Sequence, residues 1–241
     1  MIEFQAAAVV VPTPEGETTV LHPTSLTLTE PRVSIIGANG SGKSTLARLI
    51  NGLVEPSAGA VRLTVADSEP LDTRANGAAV RRAVGFVFTD PAAQLIMPTV
   101  IEDVALSLRR RIRAKAERRE AALAVLDRFG LTALADRSVH TLSGGQKQLL
   151  AIAAVLATEP AIVVADEPTT LLDLRNATRI GDLLVGLPQQ LVVVTHDLEL
   201  AARADRTLVV ADGRVVFDGA PASAIAHYRA LAATSPAEPT A

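Results

Sequence analysis

Hydrophobic and polar positions change period several times along the chain. The runs Arg32 to Ile36, Val84 to Phe88, Ala161 to Ala165 and Leu191 to Thr195 are rich in β-branched residues and lack polar alternation, as strands covered on both faces of a parallel sheet do. Between them the pattern turns helical. Arg48, Leu49, Ile50 and Leu53 carry a helix onward from a glycine-rich loop, and Gln146 to Ala157 is dense in good helix formers behind Ser143, a residue able to cap it. Strands alternating with helices predict an α/β core with a parallel sheet.

The flanking regions read differently. The first thirty residues predict extended pieces about a turn at Glu15-Gly16, and Val61 to Val65 predicts another strand before an acidic, glycine-containing loop around Asp67 to Gly77. Together they predict an antiparallel β subdomain. Residues from about Pro98 to Leu134 are helical in pattern and interrupt the spacing of the core strands, which predicts an α-helical subdomain across about 90–157. Thr207 to Ala211 and Arg214 to Phe217 flank Asp212-Gly213, a strong signal for a two-residue hairpin. No internal repeat is present. Residues 1–233 are expected to form a single domain, and the small, polar, proline-containing stretch 234–241 a disordered tail.

Length and composition narrow the possibilities. At 241 residues the chain can bury a full core but not two large ones. A formal net charge of −3 gives no global reason to expect nucleic acid as a partner. Without cysteine there is no disulfide, thiolate metal site or cysteine nucleophile. Met1-Ile2-Glu3-Phe4 lacks the basic start and apolar run of a secretory signal, and no stretch approaches the roughly 20 apolar residues that cross a bilayer. A role at a membrane would be that of a peripheral subunit. Arg109, Arg110, Arg111 and Arg113 with Arg118 and Arg119 form a basic cluster, read as a solvated helix face.

Candidate chemistry begins at Gly37-Ala38-Asn39-Gly40-Ser41-Gly42-Lys43-Ser44-Thr45, which follows a buried-type strand and opens a helix. In that setting the sequence is a phosphate-binding loop. Glycines let successive N–H groups point at phosphate oxygens, and the helix dipole adds to the attraction. Lys43 is expected to reach the β- and γ-phosphates, and the Ser44 hydroxyl to ligate Mg²⁺. The apolar strand Ala161 to Ala165 ends in Asp166-Glu167, placing two carboxylates at the sheet edge where such folds bind ligands. Asp166 is expected to hold Mg²⁺ and Glu167 to act as general base toward an attacking water.

Leu142-Ser143-Gly144-Gly145-Gln146, with the phosphate loop before it and the acidic strand after it, makes the chain resemble the ABC ATPases. That resemblance covers about residues 2 to 220. It implies the ABC ATPase fold, ATP as substrate, and Ser143, Gly144, Gly145 and Gln146 capping the γ-phosphate held by a second ATPase subunit, in a homodimer or a heterodimer. It further implies that His196, after Leu191 to Thr195, contacts the γ-phosphate, and that Asp173 lies in a loop at the dimer interface. The sequence departs from the family at several places. Thr169 to Asn176 lacks the usual small residues before the aspartate. Thr89 stands where the family has a glutamine contacting Mg²⁺ and the water, so hydrolysis is expected to be slower or more dependent on a partner. Val11 stands where an aromatic usually stacks on adenine, so base selectivity is expected to be loose.

Asp90 to Val104 resembles the corresponding segment of the energy-coupling-factor ATPases, which drive vitamin and metal-ion importers. Leu95, Ile96 and Met97 then either grip a transmembrane subunit or pack the helical subdomain. The implied partners are a transmembrane coupling protein and a substrate-binding membrane subunit, with the ATPase at the cytoplasmic face of the membrane and no nucleic acid. The Thr169 to Asn176 stretch and the short C-terminal region look most like the biotin type, with cobalt or nickel importers as neighbours. A soluble ABC ATPase of DNA repair would need a long heptad insertion, and one of translation usually carries two ATPase units; neither feature is present.

Overall fold

The structure, a computed structural model, describes residues 1–14, 16–66 and 68–234. The expected disordered tail lies outside the described residues from Ser235 onward, as does Glu15 of the expected first turn. In chain order, β1 (Ile2–Thr13), β2 (Gly16–Leu28) and β3 (Arg32–Ile36) precede α1 (Lys43–Ile50), β4 (Ala58–Leu63), β5 (Leu71–Asp72) and α2 (Gly77–Ala83). Next come β6 (Val84–Val87), α3 (Val100–Leu108), α4 (Lys115–Arg128), α5 (Gly144–Leu156), β7 (Ile162–Asp166) and α6 (Leu174–Val185). The chain continues through β8 (Gln190–Val194), α7 (Leu198–Ala201), β9 (Arg206–Ala211), β10 (Arg214–Gly219) and α8 (Pro221–Thr234). Two compact units divide these elements, one of Met1–Val80 with the chain from Val192, the other of Arg81–Leu191.

The first unit holds an antiparallel sheet in the order β2-β1-β4-β5 and the strands β10-β9-β3-β8. β3 pairs parallel with β9, Ile35 opposite Leu208, and all its residues except Arg32 are buried. Burial on both faces is why its sequence shows no alternation. Its one buried hydroxyl is satisfied, since Ser34 Oγ lies 2.7 Å from Thr207 Oγ1 and 3.2 Å from the carbonyl oxygen of Ala201. β5 corrects the sequence reading of a plain loop from Asp67 to Gly77, because Leu71 and Asp72 pair with Leu63 and Arg62 of β4. Two residues are too few to show a period. The strand is ended instead by side chains: Asn76 Oδ1 accepts from the Asp72 N–H, and Asp72 Oδ1 from the N–H groups of Arg74 and Ala75.

In the second unit β6 and β7 pair parallel, from Val84 opposite Ile162 to Val87 opposite Ala165. α5 packs on them and buries its residues from Gln148 to Leu156. The contact is close at Gly85, where any Cβ would run into Val155 of α5 and meet Pro160 Cγ at 3.0 Å, so this strand glycine serves packing. α4 is built of strong helix formers and buries Ala122 and Leu126, one helical turn apart. It stops at Gly130, whose φ of 67° is left-handed, with the Leu131 N–H donating to the Leu126 carbonyl at 2.9 Å. Among the described residues no helix is long and apolar enough to cross a membrane.

Candidate functional site

The phosphate loop lies between β3 and α1, in the first unit. A Cβ at Gly37 would run into the Val210 carbonyl oxygen, so this turn admits glycine alone. Gly42 caps α1 in a left-handed conformation, φ 100°, and turns the first helical N–H groups toward the loop. Lys43 is buried and its Nζ donates to the Ala38 carbonyl at 2.7 Å, folding the ammonium back across the loop it begins from. Ser41 Oγ is buried and has no hydrogen-bond partner. An orphaned hydroxyl inside a ring of glycines at a helix N-terminus is the environment that phosphate oxygens complete. Asn39 and Gly40 form the exposed tip, and Ser44 and Thr45 lie in the first turn of α1.

The loop is braced from outside its own sequence. The Gly213 N–H donates to the Ser41 carbonyl at 2.9 Å, and the Gly213 carbonyl accepts from the His22 N–H at 2.8 Å. Asp212 and Gly213 have φ of 47° and 68°, the two positive values a tight two-residue hairpin turn requires. The sequence announced this hairpin but gave no sign that its tip supports the phosphate loop. Arg206 fixes the base of the same hairpin: its guanidinium donates to both Asp218 oxygens at 2.6 Å, to Glu30 at 3.1 Å and to the Thr27 carbonyl at 2.8 Å. Burial alone would push the Glu30 carboxyl up, but N–H groups of Glu30 and Thr29 and the Arg206 guanidinium hold it below its ordinary range.

His196 also belongs to the first unit and is exposed. Its neighbours hold it there. The Thr195 N–H donates to the Ile35 carbonyl at 3.1 Å, beside the strand that feeds Gly37, while Asp197 caps α7 by accepting from the Glu199 and Leu200 N–H groups. Val11 is opposite Thr18 in the β1–β2 ribbon and is 37% exposed, a small apolar surface with no aromatic beside it in the register.

The carboxylates are in the second unit, at the end of β7. Asp166 is buried and Glu167, the next residue, has a left-handed backbone with φ 51°. Thr89 lies just beyond β6, and its hydroxyl donates to the main-chain carbonyl of Asp166 at 2.9 Å. The signature residues open α5: Ser143 Oγ accepts from the Gln146 N–H at 3.3 Å and Gln146 Oε1 from the Ser143 N–H at 2.9 Å, a reciprocal capping box. Asp173 caps α6, its Oδ1 accepting from the Asn176 N–H at 2.9 Å and its Oδ2 from the Asn176 side-chain amide at 2.7 Å. These bonds, the backbone one foremost, hold the Asp173 carboxyl below its ordinary range. Gly145 and Asn176 bring the two caps together, since a Cβ at Gly145 would lie 2.6 Å from the Asn176 amide carbon. Asn176 carries no motif of its own, and sequence reading passed over it.

Ile96 is 71% exposed, so it does not pack the helical subdomain, while Leu95 and Met97 are half-buried. A cavity of about 420 Å³ is lined by the apolar Met97, Ile101, Ala105 and Leu106 together with the charged Glu102, Arg109, Lys115, Arg118 and Arg119. Asp103 organises the segment: it is buried, and its Oδ1 accepts from the N–H groups of Ile96 and Met97 at 2.9 and 3.0 Å. Burial raises its carboxyl above the ordinary range despite those bonds. Much of the basic cluster is engaged within the chain, Arg111 with Glu159 at 2.7 Å and Arg119 with Asp136 at 2.9 Å.

The family model that matches residues 21–170 is described as ABC transporter. A biotin transport ATP-binding protein of Rhizobium etli is 45% identical over 96% of this chain and 99% of its own length. An energy-coupling factor transporter ATP-binding protein of Lactiplantibacillus plantarum is 38% identical over 83% of this chain and 71% of its own length. Among solved structures, an ATP-binding cassette in a dimeric post-hydrolysis state bound to ADP and phosphate superposes with a TM-score of 0.81 at 34% identity, over 92% of this chain and 99% of the other. The fold expected from sequence is thus the fold found, and the chain belongs to the ABC transporter family, among its ATPases.

Proposed function

We propose that the chain hydrolyses ATP as one of two ATPase subunits of an energy-coupling-factor importer for biotin, working at the cytoplasmic face of the membrane as a peripheral subunit. The observation that carries this reading is the near full-length match to a biotin transport ATP-binding protein. The energy-coupling relative supports it, and the exposed Ile96, next in the chain to the Met97 that lines a cavity of mixed apolar and charged walls, is the surface proposed for a transmembrane coupling protein.

In this reading Gly37 to Thr45 wraps the phosphates, and Lys43 gives up the Ala38 carbonyl for the β- and γ-phosphate oxygens. Ser44 and Asp166 are the residues that would hold Mg²⁺, which would supply charge neutralisation on the phosphates. Glu167 takes a proton from the water whose oxygen bonds to the γ-phosphorus as the bond to the β-phosphate oxygen breaks. His196 orients the γ-phosphate, and Thr89 acts beside the carboxylates in place of a glutamine. Ser143, Gly144, Gly145 and Gln146 close on the γ-phosphate of the second subunit, with Asp173 in the loop between the two. Val11 provides apolar contact for adenine. The dimeric relative supports this pairing of subunits.

The test is recovery of the tagged chain from membranes, together with biotin uptake by the same cells. The chain should come out with a small integral coupling protein and a biotin-binding membrane subunit, and Lys43→Ala should abolish uptake while leaving that complex assembled. Uptake that persists in Lys43→Ala, or a chain recovered without any membrane protein, defeats the reading.

A further inference from the structure

Thr170 stands three residues beyond Glu167 and is exposed. Its hydroxyl donates to Glu167 Oε2 at 3.0 Å, and its N–H to the main-chain oxygen of Glu167 at 3.4 Å. Glu167 itself is in an unfavourable conformation: φ of 51° is left-handed, which a side chain beyond glycine adopts only against steric resistance, and Pro168 follows it directly. Such a conformation persists only when its surroundings fix it. Upstream, the Thr89 hydroxyl holds the Asp166 carbonyl, the peptide that leads into Glu167. Downstream, Thr170 holds both the Glu167 carbonyl and the tip of its side chain.

Rotation of a glutamate carboxylate about its last torsion is broad and only weakly two-fold. A general base must present an oxygen within hydrogen-bond reach of its water, so a freely turning carboxylate spends part of its time misdirected. The Thr170 hydroxyl pins one oxygen and so narrows that torsion. We infer that Thr170 is a positioning residue for ATP hydrolysis, its hydroxyl orienting the Glu167 carboxylate toward the attacking water. The inference rests on the reading of Glu167 as general base.

The experiment measures steady-state phosphate release by the full chain with its co-purified membrane partners, alongside the Kd for ATP. Thr170→Val keeps the shape and removes the donor; Thr170→Ser keeps the donor. Thr170→Val should lower kcat about tenfold with KM and Kd within about twofold of the parent, and Thr170→Ser should restore most of kcat. A Thr170→Val kcat within about twofold of the parent overturns the inference, as does a Thr170→Ser variant as slow as the valine. Thr170→Ala replaces the valine variant if thermal unfolding shows the latter misfolded. Glu167→Gln is measured in parallel. If it keeps the parental rate, the general-base reading falls and this inference with it; if it is inactive while Thr170→Val is fast, only the role of Thr170 is lost.

Discussion

Thr89 donates its hydroxyl to the peptide joining Asp166 to Glu167, so the residue proposed to act in place of the family's glutamine is bonded next to the carboxylates. The bond is on the backbone side. A hydroxyl on a short arm cannot also extend an amide donor toward a water, which a glutamine can. Thr89→Gln in the assembled complex should therefore raise kcat several-fold, on the order of 0.5 to 1 kcal/mol of barrier, with KM little changed. Phosphate release against ATP concentration measures it, and an unchanged rate would show that the longer arm has nothing to add here. The sequence reading singled out Thr89 as standing where the family has a glutamine, but the bond it makes is to a residue far along the chain and had no local signal. Thr170 and Asn176 were missed for another reason: their partners lie only three residues back, but the bonds are made by single side chains that no periodicity records.

Among the elements, α3 and the segment before it depend on one buried carboxylate. Asp103 Oδ1 serves the N–H groups of Ile96 and Met97 and thereby shapes the exposed apolar turn proposed to meet a membrane partner. Because burial raises its folded pKa above the unfolded value, the native state binds the extra proton between the two. Its contribution to stability therefore falls as pH rises from the ordinary carboxylate value through the raised one. Asp103→Asn keeps an acceptor and removes the charge, so it should melt higher than the parent at pH 7, with the difference shrinking toward pH 4. Asp103→Ala leaves two donors without their partner and should lose on the order of 2 kcal/mol. Thermal denaturation across pH checks both, and an asparagine variant that gains on acidification would reverse the sign argued here. The β9–β10 hairpin shows the same logic without titration: its Asp212-Gly213 turn was legible because positive φ demands those residues, whereas its hold on Ser41 was not.

On the scale of the whole molecule, the candidate residues fall in two units. Val11, the phosphate loop and His196 are in one, and Thr89, the signature, Asp166, Glu167 and Asp173 are in the other. The proposed pairing of two subunits around shared ATP needs a second anion site besides the phosphate loop, and the signature at the N-terminus of α5 is the proposed one. Glu167→Gln should bind ATP yet hydrolyse it at least about 100-fold more slowly, and should accumulate as an ATP-dependent dimer by size-exclusion chromatography with light scattering. A variant that stays monomeric with ATP, its partners present, would set that mechanism aside. From sequence alone came the core strands, the helices α1, α3, α4 and α5 and the motifs at the element ends, because covered strands lose alternation, glycines mark backbone that side chains cannot follow, and capping residues sit next to what they cap. Tertiary structure alone decided the two-residue β5, the hairpin tip under Ser41, the contact of Gly145 with Asn176 and the hydroxyls on Asp166 and Glu167. Most of these join residues distant in the chain, and all depend on individual hydrogen bonds and close approaches whose partners folding supplies, which a pattern read along one strand of sequence does not contain.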